Sequence, residues 1–380
     1  MKNIHRRQFL LTMGALSAAL PLGAAAFRFT PRPGNAFSFL LLGDLHFDKP
    51  EHHDMQYVRQ FYPNDIGQIE NYCRITRENF PGLMQAAKER ATAMKADFWL
   101  QLGDFVEGLC GSETLAARQT QDFIDYVKNM QLERPFFVVK GNHDITGQGA
   151  REVYHRTVLP WQQQVLKNNP VSGANATFVY KNTRFVIFDC YTADESLVWL
   201  QSVLSQHREE RLFFCVHQPV VPYNARANWH VFAKPAQQQK RELLLNLLGK
   251  HKAIVLTAHL HKTSILTRRT PGGSFVQVGL GSVVPAPDAP VKDHLQGIDK
   301  YNADLLQLEP SFTPSSFAER KENIEKEAPF IRHFEYADFC GYGAVNISED
   351  GEMELEIYRN MDSRPWSKVD LSGLLREGNA

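Results

Sequence analysis

Val138-Val139-Lys140-Gly141-Asn142-His143-Asp144 is the stretch on which the reading of this chain turns. An apolar β-type run from Phe136 to Val139 stops at a glycine, and three side chains able to ligate metal or move protons follow with no spacer. The pattern predicts a strand that delivers chemistry at its carboxyl end. In open α/β sheets the ligand crevice lies outside the carboxyl ends of the strands, so other apolar runs should end in the same way.

Four of them do. Phe37 to Leu42 stops at Gly43-Asp44-Leu45-His46, and Asp97 to Leu102 stops at Gly103-Asp104. Leu212 to Val216 delivers His217, and Ala253 to Thr257 delivers His259-Leu260-His261. Side chains two apart on extended backbone share a face, so Asp44 and His46 should point the same way. Helices are expected from about Pro81 to Met94, Glu113 to Met130, Glu195 to His207 and Pro235 to Leu248. Strand-helix-strand alternation of this kind predicts right-handed crossovers and a parallel core.

The remaining stretches fill in around that core. Thr177 to Tyr180 and Arg184 to Asp189 read as strands around an Asn182-Thr183 turn, and Thr263 to Arg268 and Ser274 to Val278 as two more. Gly341 to Ile347 and Glu352 to Tyr358 form a hairpin around Glu349-Asp350-Gly351, expected to close the second sheet. Phe47 to Gln68 reads as a long loop, where the pair His52-His53 either meets substrate or is solvated. From Val284 to Pro290 the chain is proline-rich. The stretch of about 285–330 reads as an insertion over one rim of the sheets, as a lid or as a solvated excursion.

Lys plus Arg, 42, balance Asp plus Glu, 42, so no global basic field points to nucleic acid. The five cysteines, Cys73, Cys110, Cys190, Cys215 and Cys340, are odd in number and form no CxxC pair, so a disulfide is permitted but nothing in the sequence assigns one, and a cysteine zinc site is not expected. At the amino end, Arg6-Arg7-Gln8-Phe9-Leu10 opens an uncharged run that closes in Ala24-Ala25-Ala26. Residues 1–26 therefore match a cleavable twin-arginine signal peptide, which implies the twin-arginine export machinery as a partner and a periplasmic or secreted protein. The run is rich in Ala, Gly, Thr and Ser and interrupted by Pro21, so it makes a poor spanning helix, and no stable membrane span is expected in the mature chain, 27–380.

Singly, Asp44 or Asp104 would pass for a turn former or helix cap. As an ordered set, each after its own apolar run, the strand-end residues do not arise by chance. Carboxylate oxygens mixed with imidazoles suit divalent Mn, Fe, Zn, Co or Ni better than calcium or magnesium, which prefer all-oxygen shells. Seven ligands exceed what one ion needs. Two ions about 3.5–4 Å apart, sharing one carboxylate, accommodate them.

The blocks Gly43-Asp44-Leu45-His46, Gly103-Asp104, Gly141-Asn142-His143-Asp144, Val216-His217 and Ala258-His259-Leu260-His261 together resemble the signature of the calcineurin-like metallophosphoesterases. The resemblance implies an α/β fold, a four-layer α/β/β/α sandwich of two mixed β-sheets flanked by helices. It implies Asp44, His46 and His261 on a first metal, Asn142, His217 and His259 on a second, and Asp104 between them. Phe105-Val106-Glu107-Gly108 lacks the arginine that serine/threonine protein phosphatases carry, and Glu107 stands where purple acid phosphatases place a tyrosine ligand. The pattern with His46 looks more like the diesterases and broad bacterial phosphoesterases.

Charge then suggests the mechanism. Two dications lower the pKa of a bridging water, so that a hydroxide attacks phosphorus in line with the leaving alkoxide. His143 is the candidate general acid, and Asp144 is expected to favour its imidazolium and orient the ring. The substrate would be a small-molecule or headgroup phosphoester, monoester or diester. Phe47, Tyr191, Tyr223, Trp229 and His230 are candidates for contacting it. A metal-binding scaffold of the same fold without significant catalysis is the alternative.

Overall fold

The computed structural model describes residues 34–166, 169, 171–312 and 316–379. Its strands, in chain order, are β1 (Phe37–Leu42), β2 (Phe98–Gln101), β3 (Phe136–Val138), β4 (Val171–Ser172), β5 (Asn175–Tyr180), β6 (Thr183–Phe188), β7 (Arg211–Val216) and β8 (Ile254–Thr257), followed by β9 (Thr263–Thr270), β10 (Gly273–Gly279), β11 (Lys292–Gln296), β12 (Ile331–Asp338), β13 (Gly341–Ile347), β14 (Met353–Arg359) and β15 (Ser367–Asp370). They form a six-stranded sheet in the order β15-β14-β13-β1-β2-β3 and a nine-stranded sheet in the order β11-β12-β9-β10-β8-β7-β6-β5-β4. In the first sheet β1, β2 and β3 run parallel, and in the second β6, β7 and β8 do. Each sheet is mixed, with antiparallel strands at its flanks.

Alternation along the strands builds the layers. Phe37, Phe39, Leu41 and Phe98 face inward and meet Phe178, Phe185, Ile187 and Phe213 of the other sheet in the central core. The opposite face of the first sheet, with Leu40, Leu42, Trp99 and Val138, packs under Leu83, Met84 and Phe123 of the helices Phe80–Met94 and Glu113–Asn129. Val186, Phe188, Phe214 and Val255 do the same on the second sheet, beneath Leu200 and Leu244 of the helices Ala193–Ser205 and Gln238–Lys250. The result is the expected α/β/β/α sandwich. A buried ion pair between Lys140, just past β3, and Asp189, just past β6, ties the two sheets together beside the crevice.

Several local expectations need correction. The β5–β6 turn is Lys181-Asn182, one residue earlier than expected, because both residues take positive φ, 46° and 56°, as a type I′ hairpin requires. The hairpin β13–β14 joins the first sheet, since β13 pairs antiparallel with β1 from Phe37↔Ile347 to Leu42↔Tyr342. The stretch 47–68 is largely helical, with a helix Met55–Phe61 and the start of a helix Ile66–Glu78. Within 285–330, β11 pairs antiparallel with β12 and a helix spans Phe317–Glu327. Cys73, Cys110, Cys190, Cys215 and Cys340 are all buried free thiols. Among the described residues no helix is long and apolar enough to cross a membrane. The expected signal segment, 1–26, lies outside the described residues.

Candidate metal centre

The parallel strands β1, β2, β3, β7 and β8 all end at one edge of the sandwich, and their following residues converge there. Gly103 and Gly141 permit the approach: Gly103 adopts φ 97°, and a Cβ on it would sit 2.5 Å from His217 Nδ1, while one on Gly141 would collide with Asp104. Past the strands, His46, Asp104, His259 and His261 take left-handed backbone, with φ of 45°, 54°, 71° and 56°. Such conformations cost roughly 1–3 kcal/mol each and persist only where neighbours impose them. Here the His46 N–H donates to the Asp104 carbonyl at 2.9 Å, and the His259 N–H donates to the Asp44 carboxylate at 2.9 Å.

Two groups of donor atoms result. Asp44, His46 and His261 bring one ligand atom each within 4.8 Å of one another, and so do Asp104, His217 and His259. His46 Nε2 faces His261 Nε2 at 3.0 Å, and His217 Nε2 faces His259 Nδ1 at 3.1 Å and Asp104 Oδ2 at 3.0 Å. His217 Nδ1 donates to the Leu102 carbonyl at 2.8 Å, which leaves its Nε2 for the centre. Nitrogen facing nitrogen beside buried carboxylates is a set in which a cation takes the place a proton otherwise fills, so these residues fit divalent metal. Burial, with Asp104 nearby, pushes Asp44 up to about 6 in the metal-free chain. His217 rises to about 9 although burial opposes its charge, because Asp104 and Asp44 attract the proton. Asn142 lines the cavity beside these groups, and its side-chain Oδ1 accepts from Tyr191 Oη at 3.1 Å.

The two residues expected to act as acid and orienter part company. His143 lines the cavity above the centre, and its Nδ1 donates to the Glu107 carbonyl at 2.7 Å. Burial disfavours charge on it, yet Glu107 and Asp104 raise it to about 9 in the metal-free chain. Asp144 does not orient that ring. Its carboxylate accepts backbone N–H bonds from Gly141 at 2.7 Å, Asp104 at 3.1 Å, Phe105 at 2.9 Å and Val106 at 3.4 Å. Asp144 therefore clamps the Gly-Asp and Gly-Asn loops, because the 3-10 turn His143–Ile145 folds its side chain back over them.

Glu107 takes the role expected of Asp144. It is fully buried, with Oε2 2.6 Å from His46 Nδ1 and 3.4 Å from His143 Nδ1, and Oε1 accepts from Gln68 Nε2 at 2.8 Å. The sequence signal was the departure itself, a glutamate three positions past Asp104 with no arginine beside it. Tyr72 was missed as well. It stacks on the His46 ring at 4.3 Å from a helix not anticipated in that stretch.

The candidate substrate contacts divide. Trp229 lines the cavity, of about 500 Å³, with its ring 5.6 Å from that of His259, and Tyr191 holds Asn142. Phe47 packs in the core with Phe80 and Phe123, and Tyr223 and His230 are buried. His52 and His53 neither meet the cavity nor face solvent. Both turn to the buried Asp48, His53 Nε2 at 2.8 Å and His52 Nδ1 at 3.4 Å. Two further metal-capable groups are His46, Asp104 and His143, which shares residues with the centre, and Asp48, His53 and Cys73, where Asp48 is already bonded to His53, Gln119 and Cys73.

The family described as calcineurin-like phosphoesterase matches residues 37–263. A probable cyclic nucleotide phosphodiesterase of Moraxella catarrhalis is 25% identical over 267 residues, covering 61% of this chain and 74% of its own. A manganese-dependent ADP-ribose/CDP-alcohol diphosphatase of Xenopus laevis is 24% identical over 276 residues, covering 55% and 74%. The solved structure of a dimetal phosphatase from Danio rerio shares the fold, with TM-score 0.51, 14% identity, and coverage of 88% of this chain and 98% of that one. The matched span runs from the first residue of β1 through the final histidine pair, so the chain belongs to the calcineurin-like phosphoesterase family and is a metal-dependent phosphoesterase.

Proposed function

We propose a two-metal phosphoester hydrolase in which Asp44, His46 and His261 hold one divalent ion, Asn142, His217 and His259 hold the other, and Asp104 serves both. The observation that carries this reading is the meeting of the two donor groups at the floor of a cavity that His143 also lines. Carboxylate and imidazole donors fit Mn, Fe, Zn, Co or Ni. Bound there, such ions supply Lewis-acid charge against the phosphoryl oxygens and a hydroxide nucleophile near neutral pH.

The side chains do the rest. His143, its Nδ1 fixed by the Glu107 carbonyl, presents Nε2 to protonate the leaving oxygen. Glu107 aligns His46, Tyr191 aligns the Asn142 amide, and Asp144 holds the two loops at their spacing. The substrate is a small-molecule or headgroup phosphoester. Relatives named as a phosphodiesterase and a diphosphatase favour a phosphorus that carries two substituents, as in a diester or a diphosphate, over a monoester.

Assaying manganese-loaded protein on p-nitrophenyl phosphate and bis-p-nitrophenyl phosphate tests the reading, with faster turnover of the diester expected. No turnover of either with metal bound would leave a metal-binding scaffold. Location is a separate proposal: Arg6-Arg7 and the uncharged run behind it support twin-arginine export to the periplasm or beyond.

A further inference from the structure

After β7 delivers His217, the chain runs through Pro219 and Pro222 into the loop that carries Arg226. The guanidinium lies over the Phe312 ring, 4.1 Å from its centroid, and 5.3 Å from that of Trp229, the two rings meeting edge to face. Its Nη2 donates to Glu309 at 3.1 Å, while its Nε has no partner among the described residues. Arg226, Trp229 and Phe312 line the same cavity as His259 and His261.

The stretch 285–330 holds this loop in place. Arg320 Nη1 donates to the Ala225 carbonyl at 2.7 Å, and Asn323 Nδ2 donates to Asn228 Oδ1 at 2.9 Å and to the Ala227 carbonyl at 3.3 Å. Glu309 and Phe312, from the same stretch, grip the guanidinium itself. A distant segment thus fixes a cation on the wall of a centre built for dications. Glu309 balances the charge from one side, but its single bond uses one of the five donors of the guanidinium fork, which leaves others for an anion held at the metals.

We infer that Arg226 binds a phosphoryl oxygen of the substrate, held for that purpose by Glu309 and Phe312. This rests on the phosphoesterase reading and adds the recognition residue. The oxygen belongs either to the phosphoryl group on the metals or to a second one beside it, as in a diphosphate.

The test is calorimetric titration of metal-loaded, full-length protein with inorganic phosphate and with pyrophosphate, metal content being checked in each variant. Arg226→Met keeps an unbranched apolar side chain without the guanidinium and should weaken binding about tenfold or more, as expected for loss of hydrogen bonds from a charged group. Arg226→Lys should recover part of it, because lysine restores the charge but not the fork. Glu309→Gln should cost less than Arg226→Met. Equal losses for both anions place Arg226 on the reacting phosphoryl, and a loss for pyrophosphate alone places it on a neighbouring one. Unchanged binding of both by Arg226→Met, with metals retained, overturns the inference; should that variant lose metal, unchanged binding by Arg226→Lys overturns it instead. These titrations need no turnover, so they stand apart from failure of the hydrolase reading, which the ester assays report.

Discussion

Glu107 Oε2 lies 2.6 Å from Nδ1 of His46, the nitrogen that faces away from the donor cluster. A carboxylate in that position fixes the ring and its tautomer and makes the other nitrogen a better ligand. Glu107→Gln keeps the shape but not the charge. It should lower metal affinity at the Asp44/His46/His261 group about 10–100-fold, the usual cost of losing such a partner. Titration with manganese would show one weakened site beside one unchanged, and two unchanged sites would remove Glu107 from that role.

His143 is expected to act by giving a proton. His143→Ala should retain both metals and lower turnover about 10²–10⁴-fold on an ester with an alkyl alcohol leaving group. Nitrophenolate departs without a proton, so the loss on a nitrophenyl ester of the same class should be smaller. Equal losses on both esters would make His143 an electrostatic contact to phosphate, and lost metal would make it a ligand.

Metal uptake should release protons. Burial alone would lower His217, but Asp104 and Asp44 raise it to about 9, above its ordinary value near 6.5. A raised value means that the protonated ring stabilises the metal-free fold, fully below about 6.5, with that contribution lost as pH rises through about 9. Metal competes with this proton, so affinity at the Asp104/His217/His259 group should climb about tenfold per pH unit across that window. Calorimetry in buffers of differing ionisation enthalpy reads the released proton, and no buffer dependence would contradict the assignment.

Export is testable without structure. Replacing Arg6 and Arg7 by lysine should leave precursor in the cytoplasm, because that pair is what the twin-arginine receptor reads. Unchanged export of the double variant would mean that the signal is of another kind.

What could be read in advance follows from how each residue reaches the site. Asp44, Asp104, Asn142, His217 and His259 follow apolar runs that are strands, so local pattern announces them and parallel topology gathers them at one edge. Tyr72 and Arg226 arrive on a helix and a loop whose approach is set by tertiary packing, and nothing within a few residues of them reports it, while Glu107 showed only as a departure three positions past Asp104. Asp144 was misread because adjacency to His143 in sequence suggested contact, whereas the turn sends its carboxylate to backbone N–H groups. The pairing of β13 with β1 joins residues some 300 positions apart, as in Phe37↔Ile347, and no local period encodes that choice. β11, Lys-Asp-His-Leu-Gln, is an exposed edge strand with no apolar alternation to mark it.

Seven side chains of this chain are proposed to make a two-metal centre. Elemental analysis of active, manganese-loaded protein tests it most directly. Close to two ions per chain are expected, falling toward one with Asn142→Ala, which removes a proposed ligand from only one group. One ion or none in a fully active preparation would contradict it.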